Sequence, residues 1–101
     1  MKAKKNYQIL HKTTSSLNIQ PVQFLHNTYY EYDLKIDDIY LDIPSNIFNV
    51  YIKFTTSSDL SGGWDVVMTF DYKINKPFDF KPNKTYLMCI DNNVIVWGEL
   101  K

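Results

Sequence analysis

Residues 86–97 read YLMCIDNNVIVW, and this stretch decides the fold class. Tyr86, Met88 and Ile90 alternate with their neighbours, which is the period-2 pattern of a strand with one buried face. The letters DNN that follow predict a tight turn, because asparagine tolerates the left-handed backbone geometry that hairpins require. We therefore predict a C-terminal hairpin whose two strands close the core, with Trp97 among the buried residues of the second strand.

The same alternation extends upstream over most of the chain. In residues 28–36, for example, Tyr30 and Tyr32 fall on one side of the predicted strand and Glu31 on the other. Turn signals recur about every 8–12 residues, a spacing typical of sandwiches and small barrels. We predict an all-β chain, folded as a single small antiparallel β-sandwich or jelly-roll-like domain of about seven to eight strands. The predicted strands are 6–10, 17–25, 28–36, 39–43, 47–55, 64–72, 84–90 and 94–100.

The chain has 101 residues, which is room for one domain. We expect residues 1–5 to be a flexible N-terminal lead and residues 6–101 to form a single β-sandwich domain. No window keeps a helical period, and no internal repeat of solenoid length is evident. Asp37-Asp38 separates two alternating runs, so we predict a tight hairpin there, because aspartate side chains hydrogen-bond the local backbone in turns.

Two further expectations concern the core. In strand 47–55, the alternation places Phe48 inward and Asn49 outward. Phe78 and Phe80 lie in a long connection that carries two prolines, and we expect them to pin that connection to the core, since large aromatic side chains contribute much buried apolar area.

Charge and hydropathy exclude several classes of partner. Eleven basic side chains balance eleven acidic ones, so the formal net charge is zero. Non-specific nucleic-acid binding depends on a basic field, and we expect no nucleic-acid partner. Lys2, Lys4 and Lys5 form the only basic cluster, which we interpret as a solvated tail. No apolar run is long enough to span a bilayer, and no apolar stretch follows the charged start, so we expect neither a membrane partner nor a secretion signal.

Catalytic and metal-binding patterns are missing from the sequence. Cys89 is the single cysteine and stands in an apolar run, so we expect a small buried hydrophobe. His11 and His26 are too far apart in sequence for a metal signature. The carboxylates between Glu31 and Asp42 are interpreted as solvating groups on a sheet, because their loop is too short for a known calcium motif. We predict no enzymatic activity, no catalytic residue, no metal site and no cofactor.

Exposed aromatic residues are the remaining candidates for a binding surface. Tyr29, Tyr40 and Tyr51 fall on the polar faces of neighbouring predicted strands. Tyrosine is enriched in protein interfaces, so these three form a candidate interface. Cross-strand pairing on an exposed sheet explains the same pattern equally well, and both interpretations stay open. Trp64 and Trp97 are candidates for an aromatic platform.

Several short segments stand out in the C-terminal half: FTTS at 54–57, Trp64, PNKTY at 82–86, Ile90 and IVWGE at 95–99. Together they resemble small β-modules in virion structural proteins of tailed bacteriophages, and the resemblance covers roughly residues 48–100. It implies a non-enzymatic module of a head fibre, capsid decoration or tail appendage, with other virion proteins as partners and a dimeric or trimeric state. It also implies a location in the virion after synthesis in the cytoplasm of the bacterial host.

Two other functions are compatible with the residues. A carbohydrate-binding jelly roll would use Trp64 or Trp97 as a stacking platform and would have glycans as partners. A module resembling an OB-fold would stack single-stranded nucleic acid on sheet aromatics. An enzyme is the weakest alternative, because no nucleophile is paired with a base in the sequence.

Overall fold

Residues 7–101 are described by the structure, a computed structural model, and they form nine strands and one short 3-10 turn at Pro21–Gln23. The prediction of a flexible lead at residues 1–5 lies outside the described residues. The strands are β1 (Gln8–Lys12), β2 (Ser16–Ile19), β3 (Thr28–Tyr32), β4 (Asp38–Asp42), β5 (Val50–Thr55), β6 (Trp64–Val67), β7 (Lys73–Ile74), β8 (Thr85–Asp91) and β9 (Val94–Leu100).

The strands lie in two sheets. The larger sheet has the order β1-β3-β5-β8-β9-β7, and the smaller has the order β2-β4-β6. The chain passes from one sheet to the other after each of the first five strands, and β1, β3 and β5 pair in parallel, as do β2, β4 and β6. These six strands therefore form three stacked coils of a flattened, solenoid-like arrangement.

The prediction of an all-β fold is confirmed, but the prediction of an antiparallel sandwich or jelly roll is wrong for the first six strands. Among residues 7–101, the antiparallel pairs are β5 with β8 and β8 with β9. The hairpin predicted at Asp37-Asp38 is also wrong, because the strands on either side of it belong to different sheets. Each coil instead stacks on the next at this corner: Asp37 N–H donates to the Ser15 carbonyl, and Gly62 N–H donates to the Asp37 carbonyl. The alternating pattern predicts which side chains face inward, but it does not predict which strand is the hydrogen-bonded neighbour.

The core lies between the two sheets and is built from the alternating residues that the sequence marks. Phe48 departs from this expectation and is 44% exposed, because β5 begins only at Val50. The smaller sheet contributes Leu17, Ile19, Ile39 and Leu41; the larger contributes Tyr30, Tyr32, Val50, Ile52, Phe54, Tyr86, Met88, Ile90, Ile95 and Trp97.

Asparagine residues occupy equivalent corners of two successive coils. Asn27 and Asn49 both have positive φ, 57° and 59°, and each directly precedes a strand of the larger sheet. The Asn49 side chain donates a hydrogen bond of 3.0 Å to the Asn27 side chain. Asn49 is consequently buried, and the prediction that it points outward is wrong, since it belongs to the corner and not to the pleated strand.

The predicted C-terminal hairpin is confirmed and closes one end of the stack. Met88 pairs with Trp97 and Ile90 with Ile95, so the buried positions of β8 and β9 stand opposite one another. The larger sheet has more strands than the smaller one, so its inner face at the β8–β9 end is not covered by β6. The connection that precedes β8 covers it instead. Phe80 is buried there and Phe78 is partly buried, which confirms that they hold this connection to the core.

Candidate protein-interaction surface

A row of apolar and aromatic side chains crosses the outer face of the larger sheet. Ile9, Tyr29, Tyr51, Cys89 and Val96 are aligned by the register of five adjacent strands. Ile9 is 53% exposed and Val96 is 51% exposed, while the three residues between them are partly buried by one another. We call this set the tyrosine row. Because no other element packs on it among residues 7–101, the sheet presents an apolar band to its surroundings.

The tyrosines of this surface are in mutual contact. The ring centroids of Tyr29 and Tyr51 are 6.0 Å apart, and Tyr7 extends the cluster with its ring 5.9 Å from that of Tyr51. Partial burial raises the pKa of both Tyr29 and Tyr51, and for Tyr29 the nearby carboxylate of Glu31 raises it further. Both hydroxyl groups therefore stay protonated at neutral pH and can donate a hydrogen bond to a partner.

A polar row lies beside the tyrosine row on the same face. The Glu31 carboxylate is 4.0 Å from the Lys53 ammonium group, and His11 Nδ1 is 3.2 Å from the Asp33 carboxylate. These contacts are largely exposed, so each stabilises the fold little. Apolar residues flanked by mixed charges are the pattern of an interface core with a polar rim.

Tyr40 does not join Tyr29 and Tyr51. It lies on the outer face of the smaller sheet, with Asn18 and Asp65 as its cross-strand neighbours. The expectation that all three tyrosines lie on neighbouring strands is therefore wrong for Tyr40. The reason is the passage of the chain from one sheet to the other between β3 and β4, which places Tyr40 on the opposite side of the molecule.

Trp97 is a core residue, only 6% exposed. Its indole N–H donates a 2.9 Å hydrogen bond to the Lys76 carbonyl, and the Lys76 ammonium group sits 4.6 Å from the ring centroid. Phe78 stacks on the ring with 5.8 Å between centroids. These neighbours leave no open ring face of the kind that a sugar platform requires.

Trp64 is more accessible than Trp97, with 40% of its surface exposed. Its ring meets Phe80 in an edge-on contact at 5.2 Å, which anchors it at the border of the core. The open side of Trp64 is thus a partial platform at most. The first six strands are paired in parallel, which differs from the Greek-key barrel of an OB-fold.

The histidine and cysteine side chains discussed above as possible catalytic or metal-binding groups do not form such a site within residues 7–101. Within residues 7–101, no group of three or more His, Cys, Asp or Glu could hold a metal ion. His26 Nδ1 accepts a hydrogen bond from the Phe48 amide. Cys89 is half-buried on the outer face, not in the core as expected, and burial raises the pKa of its thiol, which disfavours the reactive thiolate. In the same range, no helix is long and apolar enough to cross a membrane.

Comparisons of the chain with protein-family profiles, with curated proteins and with solved structures found no significant match. The description of the tyrosine row as a candidate surface therefore rests on the structure alone. Sequence reasoning found Tyr29 and Tyr51 but missed Ile9 and Val96. The repeated letters N-x-Y at 27–29 and 49–51 were a usable signal, since they place the two tyrosines at the same position of successive coils.

Proposed function

We propose that this chain is a non-enzymatic structural protein of a bacteriophage virion that acts through protein–protein assembly. It would belong to a head fibre, a capsid decoration or a tail appendage, as a dimer or trimer in contact with other virion proteins. The observation that carries the assembly role is the tyrosine row, an apolar band that crosses the outer face of the larger sheet. The virion assignment rests on the sequence resemblance.

The size of the outer face supports an interface. Five strands at a spacing of about 4.8 Å span roughly 19 Å, and strands of this length give a face of roughly 400 Å² before side-chain relief is counted. This area includes both the tyrosine row and the polar row beside it, which together have the composition of an interface core with a polar rim. Tyr29 and Tyr51 suit such a site, since tyrosine brings contact area and a hydrogen-bonding tip at low entropic cost.

The segments that carry the resemblance to virion modules lie close together in the fold. The stretch 82–86, Ile90 and the stretch 95–99 all fall in or beside the β8–β9 hairpin, so they belong to one structural unit. Phe54 and Trp64 both contact Phe80, which packs against that hairpin. The letters that suggest the family are therefore the residues that close the stack.

The oligomeric state tests the assembly role. Light scattering coupled to size exclusion should give the mass of a dimer or trimer for the unaltered chain. Tyr51→Lys places a charge in the middle of the tyrosine row and should yield a monomer with little change in melting temperature. Tyr40→Lys is the matched control, because it makes the same substitution on the opposite sheet, and it should leave the oligomer intact.

The virion assignment needs a separate measurement. Antibodies against the chain should label phage particles purified from the strain that encodes it, and the signal should co-sediment with the particles after a high-salt wash. A chain that is monomeric at high concentration, whatever residue stands at position 51, would overturn the proposed homo-oligomer. Its absence from washed particles would overturn the virion role.

A further inference from the structure

The two ends of the coil stack are built differently. At the C-terminal end, the Asn75 side chain donates to the Trp97 carbonyl at 2.9 Å and accepts from the Trp97 amide at 3.2 Å. The amide and carbonyl of Trp97 are therefore already hydrogen-bonded, and a further strand could not pair with them. At the other end, β1 is the outermost strand of the larger sheet, and no described residue pairs with its free edge.

The free edge of β1 has a defined set of hydrogen-bonding groups. Gln8 N–H donates to the Asn27 carbonyl, and the Lys12 carbonyl accepts from Asp33 N–H, so Gln8 and Lys12 point their backbone groups toward β3. In a parallel ladder, alternate residues bond to the same neighbour. The backbone groups of Ile9 and His11 therefore point away from β3, at the unpaired edge.

A cavity opens between the two sheets beside this edge. Its volume is about 220 Å³, and its lining includes Leu10, Ile19, Leu25, Tyr30 and Tyr32. It lies where the inward side chains of a further coil would pack. An apolar cavity of about 150 Å³ is enough to hold benzene, so this one has room for a leucine or phenylalanine side chain.

The charge of this end selects among possible occupants. Lys12 is the single charged residue among those that line the cavity, and no carboxylate lines it. Within residues 7–30, which form this end, the sequence holds no aspartate or glutamate. Two copies meeting through this end would bring like charges together, while an acidic segment would be attracted.

We propose that the β1 end of the stack binds an extended acidic segment of another protein, which adds as a strand to β1. Alternate apolar side chains of that segment enter the cavity, and a carboxylate of the segment lies beside Lys12. Strand addition of this kind obtains affinity from main-chain hydrogen bonds and specificity from pockets for alternate side chains. This site uses the backbone edge of β1 and the cavity, whereas the tyrosine row uses outward side chains, so Ile9 is the one residue that both surfaces share.

Fluorescence anisotropy with labelled synthetic peptides tests the proposal on the full chain. The probe is the eight-residue peptide EVTLEVTE, in which valine and leucine alternate with polar residues. Its basic twin KVTLKVTK keeps the alternation and reverses the charge, and the permuted peptide EEVVTLTE keeps the composition and breaks the alternation. We expect binding of the first peptide, at least tenfold weaker binding of the other two, and weakening by salt.

Variants at the edge strand locate the site. Ile9→Pro removes one free-edge N–H and leaves the bonds to β3 in place, so it should weaken binding of EVTLEVTE by about tenfold or more. Ile9→Ala is the matched control: it shortens the same side chain, keeps the N–H and should change affinity less than about threefold. His11→Pro is a second edge variant, with circular dichroism as the check that each protein folds.

Several outcomes would overturn the proposal. These are equal binding of the acidic and basic peptides, equal binding of the permuted peptide, no binding of any peptide, or unchanged affinity in both folded proline variants. A dimer that Ile9→Pro dissociates and Ile9→Ala does not would assign the edge to a second copy instead. The effects of Tyr51→Lys on oligomer mass are read independently, so failure here is distinguishable from failure of the tyrosine-row interface.

Discussion

Replacing Trp97 by alanine removes the largest side chain from the C-terminal end of the core. Trp97 contacts Phe78, Phe80 and Tyr86 with ring centroids 5.3–5.8 Å apart. An aromatic side chain of this size buries about 200 Å², which corresponds to about 5 kcal/mol at 25 cal/mol per Å². Residual burial in the unfolded chain reduces this value by about 10–40%. We therefore expect a loss of about 3–5 kcal/mol in the free energy of unfolding, the range found for other buried aromatics.

Urea unfolding followed by far-ultraviolet circular dichroism measures this change. A domain of this size has a total stability of about 5–10 kcal/mol, so Trp97→Ala should be marginally folded or unfolded at room temperature. Val96→Ala is the control, because Val96 is the adjacent residue of β9 but is 51% exposed, and it should cost about 0.5 kcal/mol or less. A Trp97→Ala protein that loses less than about 1 kcal/mol would refute the assignment of Trp97 to the core.

Substitutions at three further positions, with their controls, test the corners and the interior. At Gly62 an added Cβ would overlap the Asp38 Cβ, so Gly62→Ala should lower the thermal midpoint, whereas Gly98→Ala, with nothing within 4 Å, should leave it nearly unchanged. Asn49→Ala should cost about 2–3 kcal/mol in chemical denaturation, since it loses the corner hydrogen bond and keeps a positive φ; Asn49→Gly, which relieves φ, should cost less. Burial raises the pKa of Tyr32 from 10.0 to about 12. The unfolded chain therefore ionises first, and Tyr32 should contribute a loss of about 2–3 kcal/mol in stability as pH rises through that interval. Tyr32→Phe should remove this contribution and leave that of Tyr30, whose pKa burial also raises.

Much of the strand content could be predicted from the sequence because a strand's side-chain pattern is local. For example, the sequence pattern predicts that Ile39, Leu41 and Ile43 face inward, and all three are buried. Strand ends were less predictable: the pattern at 64–72 continues past Val67, where β6 ends. Side chains can go on alternating between buried and exposed after the backbone stops pairing with a neighbouring strand. The hydrophobic pattern alone therefore does not locate the ends of a strand.

The candidate surface was predicted only in part, for a related reason. Tyr29 and Tyr51 stand out as aromatic residues at polar-face positions, and they are in contact. Ile9 and Val96 carry no such mark, because an isolated exposed aliphatic residue is common on protein surfaces. Their importance arises from the register that aligns β1 and β9 with the strands between them.

The sequence by itself determined the all-β class, the inward residues of most strands and the closing hairpin around Asn92-Asn93. Each of these follows from interactions between residues near one another in the chain, whether pleat alternation or turn geometry. The tertiary structure alone decided that β1, β3 and β5 run parallel, that Tyr40 faces away from Tyr29, and that β1 is an edge strand of the larger sheet within residues 7–101. Parallel and antiparallel pairing bury the same alternating face, so the choice between them rests on contacts about 20 residues apart in the chain, which alternation does not encode.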